Sequence, residues 1–417
     1  MTADAIVLGA GIIGVSTALQ LALRGKSVVL VDRREPGLET SYGNAGLIQR
    51  EGIYPYAFPQ GLDVLFRYAF NDQIDARYHL SAVPAVAPFL ARYWWNSQPE
   101  RHKGIAYAYA PLIEHSVSEH DRLIAITGAE HLIRREGWKE IYRTAGRRDD
   151  DFRAAEKLKG EFGLNYETLT PEELAREEPH LATVFTGALK WTDPTTVRDP
   201  RALTLAYVEH FKSLGGRFVT GDAASLGTGP TGRGWQVVTQ DGIVEAEQAV
   251  LATGPWSDDL TRRLGYSFPL GVKRGYHMHY ATKDGATLNG CTMDAERGYF
   301  LAPMNQGIRL TTGAEFALRD APKTPVQLEK AERIARSILP LTERLDPEPW
   351  MGARPCTPDM IPVIGKAPRH QGLWFAFGHA HHGLTLGPIT GRVLSEAMYG
   401  ETPVIDITPY RAERFNP

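Results

Sequence analysis

The run AIVLGAGIIGVSTALQLALRGKSVVLVDRR, residues 5–34, constrains the fold more tightly than any other stretch of the chain. AIVL is a short apolar run of the kind buried on both faces in a parallel sheet, and GAGIIG follows it directly. Each glycine has its own physical task. Gly9 makes a tight turn, Gly11 lets backbone N–H groups approach a pyrophosphate, and Gly14 lets the next helix pack close to the strand. The phosphates then lie at the positive end of that helix. SVVLVD supplies a second strand ending at Asp32, 18 residues after Gly14, where a carboxylate can accept hydrogen bonds from an adenosine ribose. The spacing predicts a strand–helix–strand unit that binds a dinucleotide, and does not separate NAD from FAD.

PGLETSYGNAGLIQ (36–49) follows, with hydroxyls and bare backbone at Thr40, Ser41, Gly43, Asn44 and Gly46. Such a loop suits a long cofactor lying extended along the sheet edge. A plain surface turn has the same composition. At 417 residues the chain favours two domains, or one nucleotide-binding domain with a large partner. The net charge of -3, with no block of like charge, gives nucleic acid no basic footprint. Cys291 and Cys356 stand 65 positions apart without a CxxC, which suits neither a disulfide framework nor a zinc ribbon, and fits a reducing compartment.

The first basic residue is Arg24, and the N-terminal apolar segment carries the glycine signature, so it reads as strand and helix rather than as a signal peptide. No apolar run reaches the roughly 18 residues needed to span a bilayer. The expected location is cytoplasmic. SAVPAVAPFLARYWW (81–95), ending in Trp94 and Trp95, reads as packed against its own domain, with peripheral contact at the inner membrane or a partner as the alternative.

Residues 51–185 turn helical and aromatic, with LIEHSVSEHDRLIAITG (112–128) and DDDFRAAEKLKGEFG (149–163) as expected helices, the second opening on an acidic first turn. TTVRDPRALTLAYVEHFKSLGG (195–216) resembles a crossover helix capped by Asp199, with Pro200 at its first position and Gly215 and Gly216 closing it. The strands RFVTG and WQVVTQ follow, and VEAEQAVLATGPWS (244–257) ends in ATG, where a strand again meets a glycine at the cofactor edge. GYHMHYAT, RGYFLAPM and GIRLTTGAEF alternate in character and predict a half-exposed antiparallel sheet under a pocket, followed by the helix QLEKAERIARSILP.

Taken in order and at these distances, GAGIIG with Asp32, ETSYGNAGLI, VLATGPWS, GARPCTPDMIPVIG and GHAHHGLTLGPITGRVL resemble the FAD-dependent amino-acid dehydrogenases and oxidases of the D-amino acid oxidase/glycine oxidase superfamily. The bacterial D-amino acid and D-hydroxyproline dehydrogenases are the nearest in look. The resemblance implies an α/β fold: a Rossmann-like FAD-binding domain built from 1–60, 190–262 and 345–417, and a second α+β substrate domain on an antiparallel sheet from 61–189 and 263–344. It implies non-covalent FAD, because Cys356 directly precedes Thr357, several positions from where related sarcosine oxidases attach their flavin.

By the same resemblance, FAD contacts fall on Gly9, Gly11, Ile12, Ile13 and Gly14; on Asp32, Arg33 and Arg34; and on Thr40, Ser41, Asn44, Ala45, Gly46 and Leu47. They continue at Ala224, Thr253, Gly254, Trp256 and Gly378, and at Gly383, Leu384 and Thr385, whose N–H groups would face the flavin's pyrimidine edge. Arg354 matches the position that grips a substrate carboxylate in a planar fork. Tyr276, Tyr299, Arg274 and Arg309 are expected on the pocket floor, with Arg50 and Tyr54 as weaker candidates.

Histidines 379, 381 and 382 invite a metal reading, but no acidic or cysteine ligand accompanies them, so no metal is expected. His381 or His382 is instead the expected acceptor of the amine proton, with a pKa near working pH. The implied reaction oxidises a small amino acid of the D or proline type to its imine, by hydride transfer to flavin N5, in amino-acid catabolism. A quinone or an electron-transfer protein is the implied acceptor. The alternatives are an oxygen-using amine oxidase of the sarcosine/glycine oxidase type, or the flavoprotein subunit of a heteromeric electron-transfer complex.

Overall fold

Short apolar runs at 3–8 and 28–32 and at 217–219, 249–251 and 373–377 lie side by side in one sheet. The computed structural model describes residues 3–229 and 232–416. Parallel strands stand in the order Arg217–Thr228, Val28–Asp32, Ala3–Leu8, Gly242–Leu251 and Leu373–Phe377. Trp235–Thr239 joins as an antiparallel hairpin strand, and Val363–Lys366 pairs antiparallel at the edge. The C-terminal ends of the parallel strands open on one crevice, the usual place for a ligand in a doubly wound sheet.

The opening helix, Ile12–Ala22, is buried along its whole length, so it is apolar all round rather than amphipathic. It is clamped by the final helix, Gly383–Met398, whose two interior glycines permit near contact of backbones: a Cβ on Gly391 would lie 2.7 Å from the Ser16 backbone, and one on Gly387 2.8 Å from Ile12 Cγ1. The crossover helix Pro200–Ser213 is capped as its sequence predicts, with Asp199 accepting the Ala202 N–H at 3.0 Å and Pro200 at its first position.

The second sheet is organised around Gly271–Thr282, which pairs antiparallel with Trp350–Cys356, with Gly307–Thr311 and with Ala314–Phe316. Tyr299–Met304 and Cys291–Asp294 extend it antiparallel, and Trp138–Tyr142 joins parallel to the latter. The alternating pattern of Gly271–Thr282 predicts a half-exposed strand, but residues 273–280 are all buried. One face packs over the helix Val326–Ile338 through Tyr276, Met278 and Tyr280, and the other carries Lys273 and Gly275 on the wall of a cavity.

One helix starts earlier than its charges suggest. Ala145–Phe162 opens after Thr144, so the acids 149–151 lie in its second turn, not its first. Long-range bonds set the start: Glu296 accepts the N–H groups of Arg143 and Thr144 at 3.0 and 2.9 Å. Val83–Asn96 is a helix with Phe89 and Tyr93 buried and Trp94 and Trp95 exposed.

Candidate active site

A cavity of about 1060 Å³ runs from the crevice of the parallel sheet to the wall formed by the second sheet. At its first end stands the glycine turn. Gly9 has φ +104°, and a Cβ there would meet the Ala252 carbonyl oxygen at 2.3 Å. A Cβ on Gly14 would sit 1.8 Å from the Gly9 carbonyl oxygen, so this glycine serves helix packing and does not line the cavity. Asp32 accepts the Ala10 N–H at 2.6 Å, and burial holds its carboxyl above the usual range. Ser41 Oγ accepts the Ile12 N–H at 2.9 Å, which pins the second loop over the helix N-terminus where a pyrophosphate would sit.

Between the two ends lies the loop 40–47. Thr40 donates to the Ala353 carbonyl at 2.8 Å, Asn44 Oδ1 accepts the Gly46 N–H, and a Cβ on Gly46 would meet the Val197 carbonyl at 2.4 Å. The buried guanidinium of Arg309 holds the loop from beneath, donating to the Tyr42 and Asn44 carbonyls at 2.9 and 2.6 Å. Arg309 therefore pins this loop, and it is absent from the cavity wall where the sequence expectation puts it. Trp350 fills the slot between Gly43 and Gly352, at either of which a Cβ would strike the indole at 2.0 Å or less.

Arg354 marks the far end. Its guanidinium lies over Gly275, where a Cβ would be 2.5 Å from Nη2, and it donates to the Gly313 carbonyl at 3.0 Å and the Thr312 carbonyl at 3.4 Å. Tyr56, Tyr93, Phe316, His381 and Cys356 wall this end with it, together with Lys273. Cys356 is buried, and burial pushes its thiol up.

The loop Gly378–His382 is held against Trp350–Cys356 by the Ala380 N–H donating to the Pro355 carbonyl at 2.8 Å. Gly378 has φ +83°, and Ala380 sits at φ +49° in the left-handed region, a strain localised at the site. The three histidines face different partners: His379 Nε2 bonds Thr390 Oγ1 at 3.0 Å, His382 Nδ1 bonds the Tyr109 hydroxyl at 2.8 Å, and His381 faces the Tyr56 ring in the cavity wall. Burial pushes His379 and His382 each down to about 3. Burial also holds His381 well below its ordinary value, with the charges of His382, Lys273 and Arg354 acting the same way. The expectation of a pKa near working pH does not hold for His381 or His382.

Most of the other expected residues meet on the cavity wall: Gly11, Ile12, Ile13, Arg33, Ala45, Leu47, Ala224, Thr253, Gly254, Trp256, Gly383, Leu384 and Tyr276. Arg34 pairs with Glu39 at 3.3 Å outside the wall, and Thr385 ties the final helix to Leu47 and Gln49. Tyr299 is buried in the core with Tyr276 and Met278, off the cavity. Arg50 also stands off it, donating to the Phe162 carbonyl at 3.4 Å. The Tyr276 hydroxyl is spent on Glu315 at 2.8 Å and on the Arg274 guanidinium at 3.0 Å, so only the rest of this residue reaches the wall. Arg274 itself is committed to Glu315.

Sequence reasoning missed Lys273, Gly275 and Trp350. GVKRG contains the first two, but what gives them meaning is their cross-strand register with Arg354 and Gly352, which a single sequence does not disclose. A further group, His277, His279 and Asp346, has ligand atoms within 4.8 Å of one another. His279 is already committed, through Nδ1 to Asp346 at 2.8 Å and through Nε2 to the Arg309 N–H at 2.9 Å.

The glycine cradle, the pinned second loop and the open N-terminus of the final helix fit an extended FAD, with its adenosine end near Asp32 and its ring end toward Arg354. The DAO family model, described as FAD dependent oxidoreductase, matches residues 4–397. The chain is 30% identical to a D-amino acid dehydrogenase of Chromohalobacter salexigens over 96% of its own length and 97% of the relative's. It is 28% identical to a D-amino-acid oxidase of Bradyrhizobium diazoefficiens over 98% of both chains. Its fold is similar to glycine oxidase from Geobacillus kaustophilus, with a TM-score of 0.74, 21% identity and 98% of each chain covered.

Proposed function

Because the chain belongs to the DAO family of FAD dependent oxidoreductases, we propose that this enzyme oxidises a small D-amino acid or proline-type imino acid held by its carboxylate on Arg354. When bound, FAD supplies the two-electron acceptor for the oxidation. The observation that carries the reading is Arg354: a guanidinium on the wall of the long cavity, at the end opposite the glycine cradle, anchored by carbonyls and without a carboxylate partner among the described residues. A fork so anchored keeps part of its five N–H donors for a bidentate carboxylate, which fixes the position of the substrate's Cα–H.

His381, held neutral, is a hydrogen-bond acceptor for the amine rather than a strong base, so the amine is oxidised in its neutral form. Tyr56, Tyr93 and Phe316 limit water around that amine. A primary amine then leaves as an imine that water hydrolyses to keto acid and ammonia, whereas a cyclic amine leaves as a cyclic imine. The parallel sheet with its helices serves as the FAD-binding part, and the second sheet as the substrate-binding part.

The electrons pass onward to a quinone or an electron-transfer protein. Exposed Phe66, Phe70 and Leu80 beside the cavity-lining Leu65 and Tyr68 support an apolar docking point there, with the enzyme in the cytoplasm and peripheral to the inner membrane. Among the described residues, no helix is long and apolar enough to cross a membrane. Comparing each amino acid with the amine that lacks its carboxylate tests the central role of Arg354. The amino acid is expected to be oxidised with a kcat/KM at least ~100-fold higher, and parity between the two would overturn the assignment. Stoichiometric hydrogen peroxide under air would replace the quinone reading with the oxidase one.

A further inference from the structure

Beside Arg354 the cavity wall carries a buried cation that this chemistry does not use. Lys273 stands directly opposite Arg354 across the antiparallel pair Gly271–Thr282 and Trp350–Cys356. Opposed residues project from the same face with Cβ atoms roughly 5 Å apart, and both side chains line the cavity. Lys273 is only 9% exposed, and among the described residues no carboxylate pairs with its Nζ, whose neighbours include the Met360 sulfur at 3.8 Å and the rings of Tyr93 at 4.0 Å and Phe316 at 5.7 Å. The other buried cations all have strong acceptors: Lys139 has Glu178 at 2.9 Å, Arg274 has Glu315 at 2.6 Å, and Arg309 donates to His279 and to the Tyr42 and Asn44 carbonyls. Burial pushes Lys273 down to about 8, and the Arg354 charge acts in the same direction.

Placing an ammonium out of water beside a guanidinium is costly, and an aromatic cage returns only part of that cost. An anion arriving in the cavity would satisfy both groups. We propose that Lys273 reads a second anionic group on the substrate, so that the site takes an amino acid or secondary amine with two carboxylates, one on Arg354 and the other on Lys273. This inference rests on the role of Arg354 argued above.

The test uses the holoenzyme, reduced anaerobically by matched pairs: aspartate with asparagine and glutamate with glutamine, in both enantiomers, and iminodiacetate with sarcosine. Flavin absorbance is the readout. The dicarboxylic member is expected to half-saturate reduction at a concentration at least ~10-fold lower, as for a hydrogen bond between charged groups. Lys273→Met brings that ratio toward one, and Lys273→Arg retains part of it. Titration with unreactive glutarate against butyrate, read as a perturbation of the flavin spectrum, gives the same preference without turnover.

Equal half-saturation within every pair overturns the inference while leaving amino-acid oxidation intact. An acid-to-amide ratio in Lys273→Met equal to that of the parent also overturns it, since Lys273 would then share the first carboxylate or serve packing alone. If no amine reduces a flavin that dithionite still bleaches, the amino-acid reading falls, and this inference with it.

Discussion

At the scale of single residues, the site depends on what is absent as much as on what is present. Arg354 reaches its position because Gly275 has no side chain: a Cβ there would lie 2.5 Å from Nη2 and 2.8 Å from Cζ. Gly275→Ala is therefore expected to displace the fork and raise the KM for amino acid at least ~10-fold, equivalent to about 1.4 kcal/mol. Steady-state kinetics at constant flavin content checks it. A second residue-scale prediction concerns Glu51, a buried carboxyl that accepts from Gln49 at 2.7 Å and from Trp138 at 2.9 Å. Burial pushes it up to about 7 from 4.5. The folded protein thus keeps this proton to about pH 7 while the unfolded chain releases it near pH 4.5. The stabilisation is complete at low pH and is lost as pH rises through that window. Glu51→Gln, which imitates the protonated form, should be the more stable protein at pH 8 by up to roughly 3 kcal/mol, with no gain near pH 4.5. Denaturant unfolding at both pH values measures the difference.

At the scale of elements, the helices that face the cofactor are positioned by glycines at crossings. The opening and final helices meet where Gly387 and Gly391 stand against Ile12 and Ser16. Gly391→Ala is expected to destabilise the holoprotein by ~1–3 kcal/mol and to loosen FAD retention, read by thermal unfolding together with the flavin-to-protein absorbance ratio. These elements were legible in the sequence because the rules behind them are local. The glycine spacing, the Asp199–Pro200 cap and the apolar runs act over a few residues each. The helix Ala145–Phe162 was legible only in part, since Gly146, Arg147 and Arg148 oppose a helix start locally and Glu296, far along the chain, supplies the missing bonds. The strand Gly271–Thr282 was misread as half-exposed for the same reason. On its second face His277 is covered by Tyr42 and Trp350, from distant parts of the chain, and alternation in one strand does not reveal that.

At the scale of the whole molecule, the cavity is made by bringing residues from 9–49, 56–93, 222–260, 273–276, 293–316 and 350–384 to one place, with Arg147. The sequence shows its two ends, the glycine cradle and the GARP arginine, through motifs. It does not show the distance between them, nor that Lys273 stands beside Arg354, because strand register is a tertiary fact. It also puts Tyr299 on the pocket floor and gives His381 and His382 ordinary basicity: residue type and strand membership suggest both, while Tyr299 lies in the core off the wall and burial holds the two histidines neutral. The proposed arrangement is one cavity with FAD at the glycine end and an amino acid on Arg354. The most direct measurement is the visible spectrum of the purified holoprotein mixed anaerobically with D- and L-amino acids, proline and hydroxyproline included. Bleaching of the flavin bands by at least one of them, lost in Arg354→Met, is the predicted result. A flavin that dithionite reduces and no amino acid does would overturn amino-acid oxidation, and bleaching unchanged in Arg354→Met would overturn the role of Arg354.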